Sequence, residues 1–519
     1  MKLTYCISED EMNYLLGIDI GTSGAKTVLL DTDKGRIAAS SVREYPLDTP
    51  RPLWAQQEPE DWWQAAAAGI GDVLSRTGAD PSDIKAVGLT GQMHSSVFLD
   101  EHDGSIRPAI LWCDQRTGDE CGEINDMIGS GRIVDITCNP MLTGFTLPKL
   151  IWLRNREPEN YARIRKVLLP KDYIRLRLTG EYATDVSDAS GMGVFDVKRR
   201  CWSDEIIEGC GLKKEWFGRV YESPEISGRV SREAALLTGL PEGIPVAAGA
   251  GDNAASAIGN GIVEPGMVFN SLGTSGVVFA YADTPAMDSS LRVHTFCHAV
   301  PGKWHVMGVM LSAGGSLRWY RDTFCQEEKR LAEETGKDAY DLISAQAAAV
   351  PPGSEGLLFL PYLSGERCPW PDPNARGAFV GATLSHTRAH FARSVFEGIS
   401  CGLNDSFEIL REMNVPISTV IATGGGARSP FFRQVLADVT GYDHCTLVND
   451  EGPGYGAAIL AGAAAGIYGD VQEASKANAV IDKRTPADPA RHEEYAKYVR
   501  EYKALYPALR DTFLAISRF

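Results

Sequence analysis

Apolar and polar residues alternate along the chain in short blocks that predict strands and helices in succession. The run "GIDIGTSGAKTVLLD" (17–31) has two apolar, β-branched flanks around a Gly-marked turn, which predicts a β-hairpin. Residues 83–100, "DIKAVGLTGQMHSSVFLD", predict a strand, a loop and a second strand. Residues 59–76 have helical spacing behind an N-terminal proline. This alternation indicates an α/β fold.

The second half of the chain contains the same kinds of element. The letters GTSG of residues 21–24 recur at 273–276, and each copy follows the first predicted strand of its half. Helices are predicted over 386–413 and 429–441, with a strand at 418–423 between them. The repeated turn suggests that the two halves are structurally duplicated.

Near residues 245–265 the sequence changes to small residues, and Glu264-Pro265-Gly266 is a turn signal. A chain of 519 residues is also long enough for two or more cores. We therefore expect three segments: an N-terminal extension over 1–13, a first lobe over 14–255 and a second lobe over 256–519.

At the C-terminus, Tyr495, Tyr498, Tyr502 and Tyr506 have near-helical spacing. This predicts a helix that packs on its own domain, and a partner surface is the alternative.

Composition narrows the class of protein. Hydrophobic residues make up 44% and charged residues 23%, which is ordinary for a soluble globular enzyme. The net charge of −17 repels phosphate backbones, and the basic cluster Arg163, Arg165 and Lys166 is explained by a solvated helix face. We expect no nucleic-acid partner.

The cysteines and the apolar stretches of the chain indicate the cellular compartment of the protein. Eleven cysteines without a CxxC pair argue for a reducing cytosol, and no basic segment followed by an apolar run begins the chain. The most apolar stretch, 457–468, is shorter than the roughly 18 residues that cross a bilayer, and its Gly/Ala content predicts a helix packed closely on another backbone. These features predict a cytoplasmic protein without a membrane partner.

The two GTSG turns are candidate phosphate sites. Such a turn exposes backbone N–H groups beside hydroxyls, which suits an anionic oxygen, and Lys26 follows the first copy. A tight hairpin needs the same residues for positive φ, so either copy alone is equally consistent with a plain turn. Two copies in facing lobes would hold a polyphosphate from both sides.

Two aspartates are candidates for chemistry. Asp19 ends an apolar strand directly before the first turn, where a carboxylate needs a cation or donors, and Mg²⁺ beside a phosphate would supply the cation. Asp252 lies among small residues at the lobe boundary. It is either a helix or loop cap or, at an interdomain cleft, a general base.

A histidine-rich segment and two arginines allow further interpretations. His294, Cys297, His298 and His305 permit a zinc hypothesis, although the Pro301-Gly302 turn predicts an ordinary hairpin there. Arg116 and Arg367 are expected to hold loops by ion pairs rather than to contact a substrate.

Seven motifs together resemble the FGGY carbohydrate kinases, most closely the members that phosphorylate xylulose. They are "GIDIGTSGAKTVLLD", "GLTGQMHSSVFLD", "ILWCDQRT", "GAGDNAASAIGNG", "SLGTSG", "LSGERCPWPDPNARGAF" and "GGGARSPFFRQVLADV". The similarity extends from about Tyr14 to about Gly466. It implies two actin-like (ribonuclease H-like) lobes around a deep cleft that binds ATP, Mg²⁺ and an open-chain sugar.

The resemblance also implies roles for individual residues. Asp252 corresponds to the catalytic base, Asn253 to a ligand of a sugar hydroxyl, and Met93 and His94 to the lining of the sugar pocket. Asp19, with Asp252, is the expected carboxylate on the Mg²⁺ side. Positions on the phosphate or nucleotide side are Thr22, Ser23, Lys26, Thr274, Gly314, Arg318, Gly425 and Gly426.

One departure from the family pattern is Ser95-Ser96 after the histidine, where relatives often have Gly-Ala. The extra hydroxyls are expected near the pocket, where they could alter sugar specificity.

The activity that the resemblance implies is ATP-dependent phosphorylation of a ketopentose, D-xylulose at O5. An FGGY kinase for another ketose or polyol, an actin-like ATPase without a sugar site and a sugar sensor without turnover are the alternatives. "GQMH" and Asp252-Asn253 favour the sugar kinase over the ATPase, and intact Asp19 and Asp252 disfavour a sensor. A homodimer is left open.

Overall fold

The computed structural model describes residues 13–449 and 451–518, which form an α/β protein with one seven-stranded mixed sheet in each half. The predicted α/β class is confirmed. The N-terminal extension falls almost wholly on residues 1–12, outside the described residues. The limits of the two lobes stay predictions.

The strands of the first half are β1 Tyr14–Ile20, β2 Gly24–Asp31, β3 Arg36–Glu44, β4 Gln56–Gln57, β5 Ile84–Gly91, β6 Val97–Leu99, β7 Ala109–Ile110, β8 Lys166–Leu168, β9 Ala183–Asp185, β10 Phe195–Asp196, β11 Cys201–Trp202, β12 Arg219–Tyr221, β13 Ile226–Arg229, β14 Pro245–Ala247 and β15 Ala250–Gly251. The helices of this half are α1 Pro59–Thr77, α2 Gly118–Ile128, α3 Ser130–Thr137, α4 Thr146–Arg156, α5 Pro158–Arg163, α6 Pro170–Thr179, α7 Val186–Ala189, α8 Asp204–Gly209, α9 Arg232–Thr238 and α10 Asp252–Gly259.

The strands of the second half are β16 Gly266–Leu272, β17 Gly276–Ala282, β18 His294–Cys297, β19 Trp304–Met310, β20 Leu358–Leu360, β21 Ala378–Val380, β22 Ile417–Thr423, β23 His444–Leu447 and β24 Ile481–Thr485. Its helices are α11 Gly314–Phe324, α12 Gln326–Thr335, α13 Ala339–Ala348, α14 Arg388–Glu412, α15 Pro430–Thr440, α16 Pro453–Ala464, α17 Val471–Asn478 and α18 Pro489–Ile516. The helices predicted over 59–76, 386–413 and 429–441 are confirmed as α1, α14 and α15.

The two sheets share one connectivity. In the first, β1 pairs antiparallel with β2 and parallel with β5, and β5 pairs parallel with β14. In the second, β16 pairs antiparallel with β17 and parallel with β22, and β22 pairs parallel with β23. The predicted duplication is therefore confirmed, and each GTSG turn joins the same two strands of its sheet.

The Gly/Ala-rich stretch forms α16, which packs on the first sheet although it belongs to the second half of the chain. A Cβ atom at Gly17 of β1 would lie 1.9 Å from the Gly454 carbonyl oxygen, and one at Gly88 of β5 would lie 1.8 Å from that of Ala457. The expectation of close backbone packing is confirmed. Only glycine on these strands lets the helix axis approach so closely.

Helix α10 lies against α16 through another such contact, because a Cβ atom at Gly456 would lie 1.8 Å from the Ala255 carbonyl oxygen. Gly251 of β15 pairs with Gly91, the last residue of β5, so the first residue of α10, Asp252, lies at this end of the first sheet.

The C-terminal tyrosines are buried on α18, which packs on α14, α15 and β20 of its own half. The predicted helix and its packing are confirmed. Within the described residues, no helix combines the length and apolarity that crossing a bilayer requires.

Candidate active site

A cleft of about 670 Å³ lies between the two sheets and is lined by residues of both halves. Seven of the predicted site residues line it: Lys26, Met93, His94, Asp252, Asn253, Thr274 and Gly425. Six do not line it: Asp19, Thr22, Ser23, Gly314, Arg318 and Gly426. The cleft also contains residues without a predicted place in the site, notably Trp112, Arg367 and Glu451.

Asp252 is the first residue of α10, where the positive end of the helix dipole favours a carboxylate. Its Oδ1 atom accepts hydrogen bonds from the Asn253 backbone N–H at 2.7 Å and from Asn253 Nδ2 at 2.9 Å. Burial nevertheless raises the pKa of Asp252 to about 6, against the effect of those two donors. The side chain is thus a carboxylate near neutral pH with a proton affinity that suits a general base.

Asp19 is the penultimate residue of β1, close enough to Asp252 to feel its charge. Its Oδ1 atom is buried and accepts no hydrogen bond within the described residues. Burial, followed by the negative charge of Asp252, raises the pKa of Asp19 to about 7, while Lys26 opposes the shift. Two carboxylates near one another, one with an unsatisfied oxygen, form a donor set that suits a hard divalent cation.

His94 has a left-handed backbone, with φ of 67°, in the loop after β5. Its Nδ1 atom lies 2.8 Å from the Gly191 carbonyl oxygen, and its own carbonyl oxygen accepts hydrogen bonds from Thr146 Oγ1 and Lys149 Nζ. Burial holds the pKa of His94 well below its usual value, so the ring is neutral. These contacts fix the ring at the cleft.

Met93, next to His94, packs against Gly251 at the end of β15, directly before Asp252. A Cβ atom at Gly251 would lie 2.9 Å from Met93 Cγ. Glycine before Asp252 therefore leaves room for the methionine.

Ser95 and Ser96 turn away from the cleft. Both are fully buried, and Ser95 Oγ donates to Gln92 Oε1 and accepts from the Trp112 backbone N–H. The Ser96 hydroxyl lies 3.5 Å from the carbonyl oxygen of His94. The two serine hydroxyls therefore do not line the cleft, where they were expected, and instead bond to groups in the protein interior.

The first GTSG turn is tied to its own half. Thr22 Oγ1 accepts from Trp112 Nε1 at 2.9 Å, and its carbonyl oxygen accepts from Gln57 Nε2. Ser23 is exposed at the tip.

Lys26, on the strand after this turn, contacts the other half of the chain. It pairs with Asp19 across the hairpin, and its ammonium donates to the Glu451 carboxylate at 2.6 Å.

The second GTSG turn is supported by α11. The Gly314 N–H donates to the Gly273 carbonyl oxygen and the Gly315 N–H to that of Thr274, both at 2.9 Å. A Cβ atom at Gly314 would lie 2.5 Å from the Gly273 oxygen. Gly314 thus supports the turn from behind, while the exposed Thr274 faces the cleft.

The glycines after β22 lie beside the same turn. A Cβ atom at Gly426 would lie 2.9 Å from Leu272 Cβ, whereas Gly425 has open space around it at the cleft. Arg318 is exposed on the second turn of α11, and the structure does not bring it into the cleft lining.

The histidine-rich segment forms the antiparallel pair β18–β19, which confirms the predicted hairpin. His305 stacks on Phe279 with ring centroids 4.1 Å apart, and His294 Nδ1 lies 3.0 Å from Asn139 Oδ1. Across the described residues, no group of three or more His, Cys, Asp and Glu side chains is arranged to hold a metal ion. The zinc hypothesis gains no geometric support.

Of the two arginines expected to hold loops by ion pairs, only one forms such a pair with the described residues. Arg116 does so, because it lies 2.6 Å from Asp114 and 3.6 Å above the Trp54 ring. Arg367 does not, since its guanidinium forms no ion pair with the described residues. The expectation for Arg367 is wrong, and its side chain instead lines the cleft.

Comparison with known proteins decides the family. The N-terminal domain of the FGGY family of carbohydrate kinases matches residues 14–259, and the C-terminal domain of that family matches residues 268–465. The chain belongs to the FGGY family of carbohydrate kinases. As a member of this family it is a sugar kinase that takes its phosphoryl group from ATP.

Individual relatives support this assignment. The xylulose kinase of Escherichia coli (strain K12) is 42% identical over 455 residues, covering 87% of this chain and 90% of its own. The gluconokinase of Bacillus subtilis (strain 168) is 32% identical over 509 residues, covering 98% and 96%. The crystal structure of a xylulose kinase from Rhodospirillum rubrum superposes with a TM-score of 0.86 at 31% identity, covering 96% and 100%. The two-domain architecture expected from the sequence is therefore confirmed.

Proposed function

We propose that this FGGY kinase phosphorylates D-xylulose on O5 with MgATP. The proposal rests on one observation above all. A half-buried carboxylate, Asp252, lies in a single cleft with the sugar-pocket pair Met93-His94 and with the second GTSG turn at Thr274. The 42% identity to a protein named xylulose kinase supports the choice of sugar.

Asp252 is the proposed base. In phosphoryl transfer the transition state is loose, so positioning and charge neutralisation carry most of the catalysis. The Oδ2 atom of Asp252 accepts no hydrogen bond from the described residues and would take the proton of the attacking hydroxyl, while Asn253 holds Oδ1. With a pKa of about 6 this group is ionised at neutral pH and still basic enough to take a proton.

Asp19 and Asp252 are the proposed Mg²⁺ side of the site. The unsatisfied Oδ1 atom of Asp19 fits the cation, because a buried carboxylate oxygen without a donor is costly unless a positive charge neutralises it. When bound, Mg²⁺ would neutralise charge on the β- and γ-phosphates. Lys26 is the nearby ammonium that would share this task once it leaves Glu451.

The two halves would divide the substrates. Met93, His94 and Asn253 belong to the first half and would contact the sugar. Thr274 and Gly425 would contact the phosphates and the nucleotide, with Gly314 behind the turn and Gly426 beside the loop. The assignment of 14–255 as the sugar lobe and 256–519 as the nucleotide lobe is part of this proposal.

We infer a cytoplasmic location, supported by the ten described cysteines, which are all free thiols. A homodimer and the lack of a nucleic-acid partner remain proposals that oligomer analysis and binding assays would test.

A coupled ADP-release assay over D-xylulose, L-xylulose, D-ribulose, xylitol, glycerol and D-gluconate tests the substrate. Gluconate is the second candidate, because the identity to the gluconokinase covers 98% of the chain. D-Xylulose is expected to have the highest kcat/KM. A higher value for any other compound would overturn the proposed sugar, and sugar-independent turnover alone would overturn the kinase proposal.

A further inference from the structure

Arg367 reaches the sugar side of the cleft from the second half of the chain. It lies in the loop between β20 and β21, yet its Nη2 atom would be 3.8 Å from a Cβ atom placed at Gly144 in the first half. Arg367 and His94 line the same cleft, and the positive charge of Arg367 adds to the effect of burial in lowering the pKa of His94 and His294.

The guanidinium of Arg367 has no directly bonded counterion in the part of the chain that the structure describes. Among the described residues it makes no hydrogen bond and no ion pair, although five N–H donors are available. The neighbouring Glu366 forms no ion pair with it among the described residues; Glu366 Oε1 instead accepts the backbone N–H groups of Leu311 and Arg367. Burial lowers the pKa of Arg367, and the negative charge of Glu366 opposes this shift only in part.

His94 has the opposite hydrogen-bonding capacity. A carbonyl oxygen can only accept, so the Gly191 carbonyl at 2.8 Å requires that the proton of the neutral ring is on Nδ1. The Nε2 atom is then an acceptor only. It can bind a sugar hydroxyl, but it cannot donate to a carbonyl oxygen.

The proposed substrate needs such a donor. In a 2-ketopentose, only the C5 hydroxyl can close a five-membered ring on the C2 carbonyl, so O5 is a free acceptor for phosphate only in the open-chain form. That form carries an unprotected keto oxygen into the cleft. A keto oxygen without a donor would lose the hydrogen bonds that water gave it.

We propose that Arg367 is a specificity-determining residue that donates hydrogen bonds to the keto oxygen of an open-chain ketose. This inference rests on the proposed function and extends it, since it assigns the carbonyl to one cation and the hydroxyls to His94 and Asn253. Arg367 thereby distinguishes a ketose from the polyol that has a hydroxyl at C2.

The test compares R367A and R367K with wild type on D-xylulose and on xylitol, one of the polyols formed by reducing its carbonyl. Loss of a charge-assisted hydrogen bond should lower kcat/KM for D-xylulose roughly 10- to 150-fold in R367A. The preference for D-xylulose over xylitol in binding should fall by a similar factor. R367K, which keeps the charge without the planar fork, should lie between the two.

Controls separate this role from a structural one. Arg376 lies in the same loop, and within the described chain its guanidinium donates only to the Pro373 and Ala375 carbonyl oxygens, so R376A should keep the sugar preference. Added ethylguanidinium should partly restore D-xylulose turnover in R367A and not alter R376A.

Two results would overturn the proposal. One is an unchanged preference for D-xylulose over xylitol in both R367A and R367K. The other is a loss of activity that ethylguanidinium does not restore and that is accompanied by a lower melting temperature. Failure of the wild-type enzyme on D-xylulose would instead overturn the proposed function, which is a separate arm of the experiment.

Discussion

The Nζ atom of Lys26, in the strand after the first GTSG turn, lies 2.6 Å from the carboxylate of Glu451, in the loop before α16. The ammonium also donates to the Glu451 carbonyl oxygen at 2.9 Å. This pair joins residues 425 positions apart and engages the cation that we expect at the phosphates of ATP.

If ATP competes with Glu451 for Lys26, Glu451→Gln should lower the KM for ATP severalfold, whereas Lys26→Met should raise it. The pair is partly exposed, so its own stabilising effect is about 1 kcal/mol at most and the fold should survive. Steady-state kinetics of the double variant provide the control. In the Lys26→Met background, Glu451→Gln should have no further effect, and an equal effect in both backgrounds would contradict competition.

Thr274→Val should raise the KM for ATP more than the KM for sugar, because its hydroxyl lies at the proposed phosphate side of the cleft. Losing one hydrogen bond to a charged phosphate should cost about 1.5–3 kcal/mol, or roughly 10- to 150-fold. Initial rates at varied ATP and varied sugar separate the two constants. An effect confined to sugar KM would show that this turn does not bind phosphate.

His94→Ala should lower kcat/KM for D-xylulose by roughly 5- to 150-fold, since a buried sugar hydroxyl would lose its acceptor. The slow ATPase activity without sugar should hardly change. His94→Gln can still place an acceptor there and should lose less. Equal losses in both activities would mean that His94 only supports the loop.

The acid limb of kcat/KM should lie between about pH 6 and pH 7, because burial raises the pKa of Asp252 to about 6 and that of Asp19 to about 7, and both must be ionised. Activity is then lost as pH falls through this range, at least about two units above the limb of an ordinary aspartate. Asn253→Ala removes one donor that stabilises the charged form, so the limb should move to higher pH.

Asn260 follows the last residue of the same helix and makes no hydrogen bond to Asp252 among the described residues, so Asn260→Ala should leave the limb in place. A limb near pH 4 in wild type, or one that Asn253→Ala moves to lower pH, would contradict the assigned environment. The pH profile therefore tests the electrostatics of the site separately from its rate.

Local patterns predicted much of the fold. The GTSG repeat and its flanking strands predicted the duplicated hairpins, because a Gly-marked turn between β-branched runs has few other conformations. The ends of α1 and α15 follow from a proline at the start and a glycine after the last turn, Gly78 and Gly441.

Long-range packing was not predictable from such patterns. The Gly/Ala content of α16 indicated a close backbone neighbour, but nothing local indicates that the neighbour is the sheet of the other half. The Lys26–Glu451 ion pair was likewise not predictable, because nothing in the sequence around either residue indicates the other as its partner.

At the site, the sequence did not predict the direction in which side chains point. Ser95 and Ser96 follow the sugar-pocket histidine directly, yet the loop conformation at His94, with positive φ, turns both hydroxyls into the interior. The ion pair predicted for Arg367 does not form with the described residues. Glu366 Oε1, beside it, instead accepts two backbone N–H groups.

The roles of Asp252 and its cleft are most directly tested by one comparison: D-xylulose turnover in wild type and in Asp252→Asn, with the product identified by ³¹P NMR. We expect wild type to form the O5 phosphate. The variant should still bind sugar and ATP, measured by calorimetry, while kcat falls by roughly two to four orders of magnitude, the usual span for a positioned base. Near-wild-type turnover in Asp252→Asn, or phosphate on an oxygen other than O5, would contradict the account.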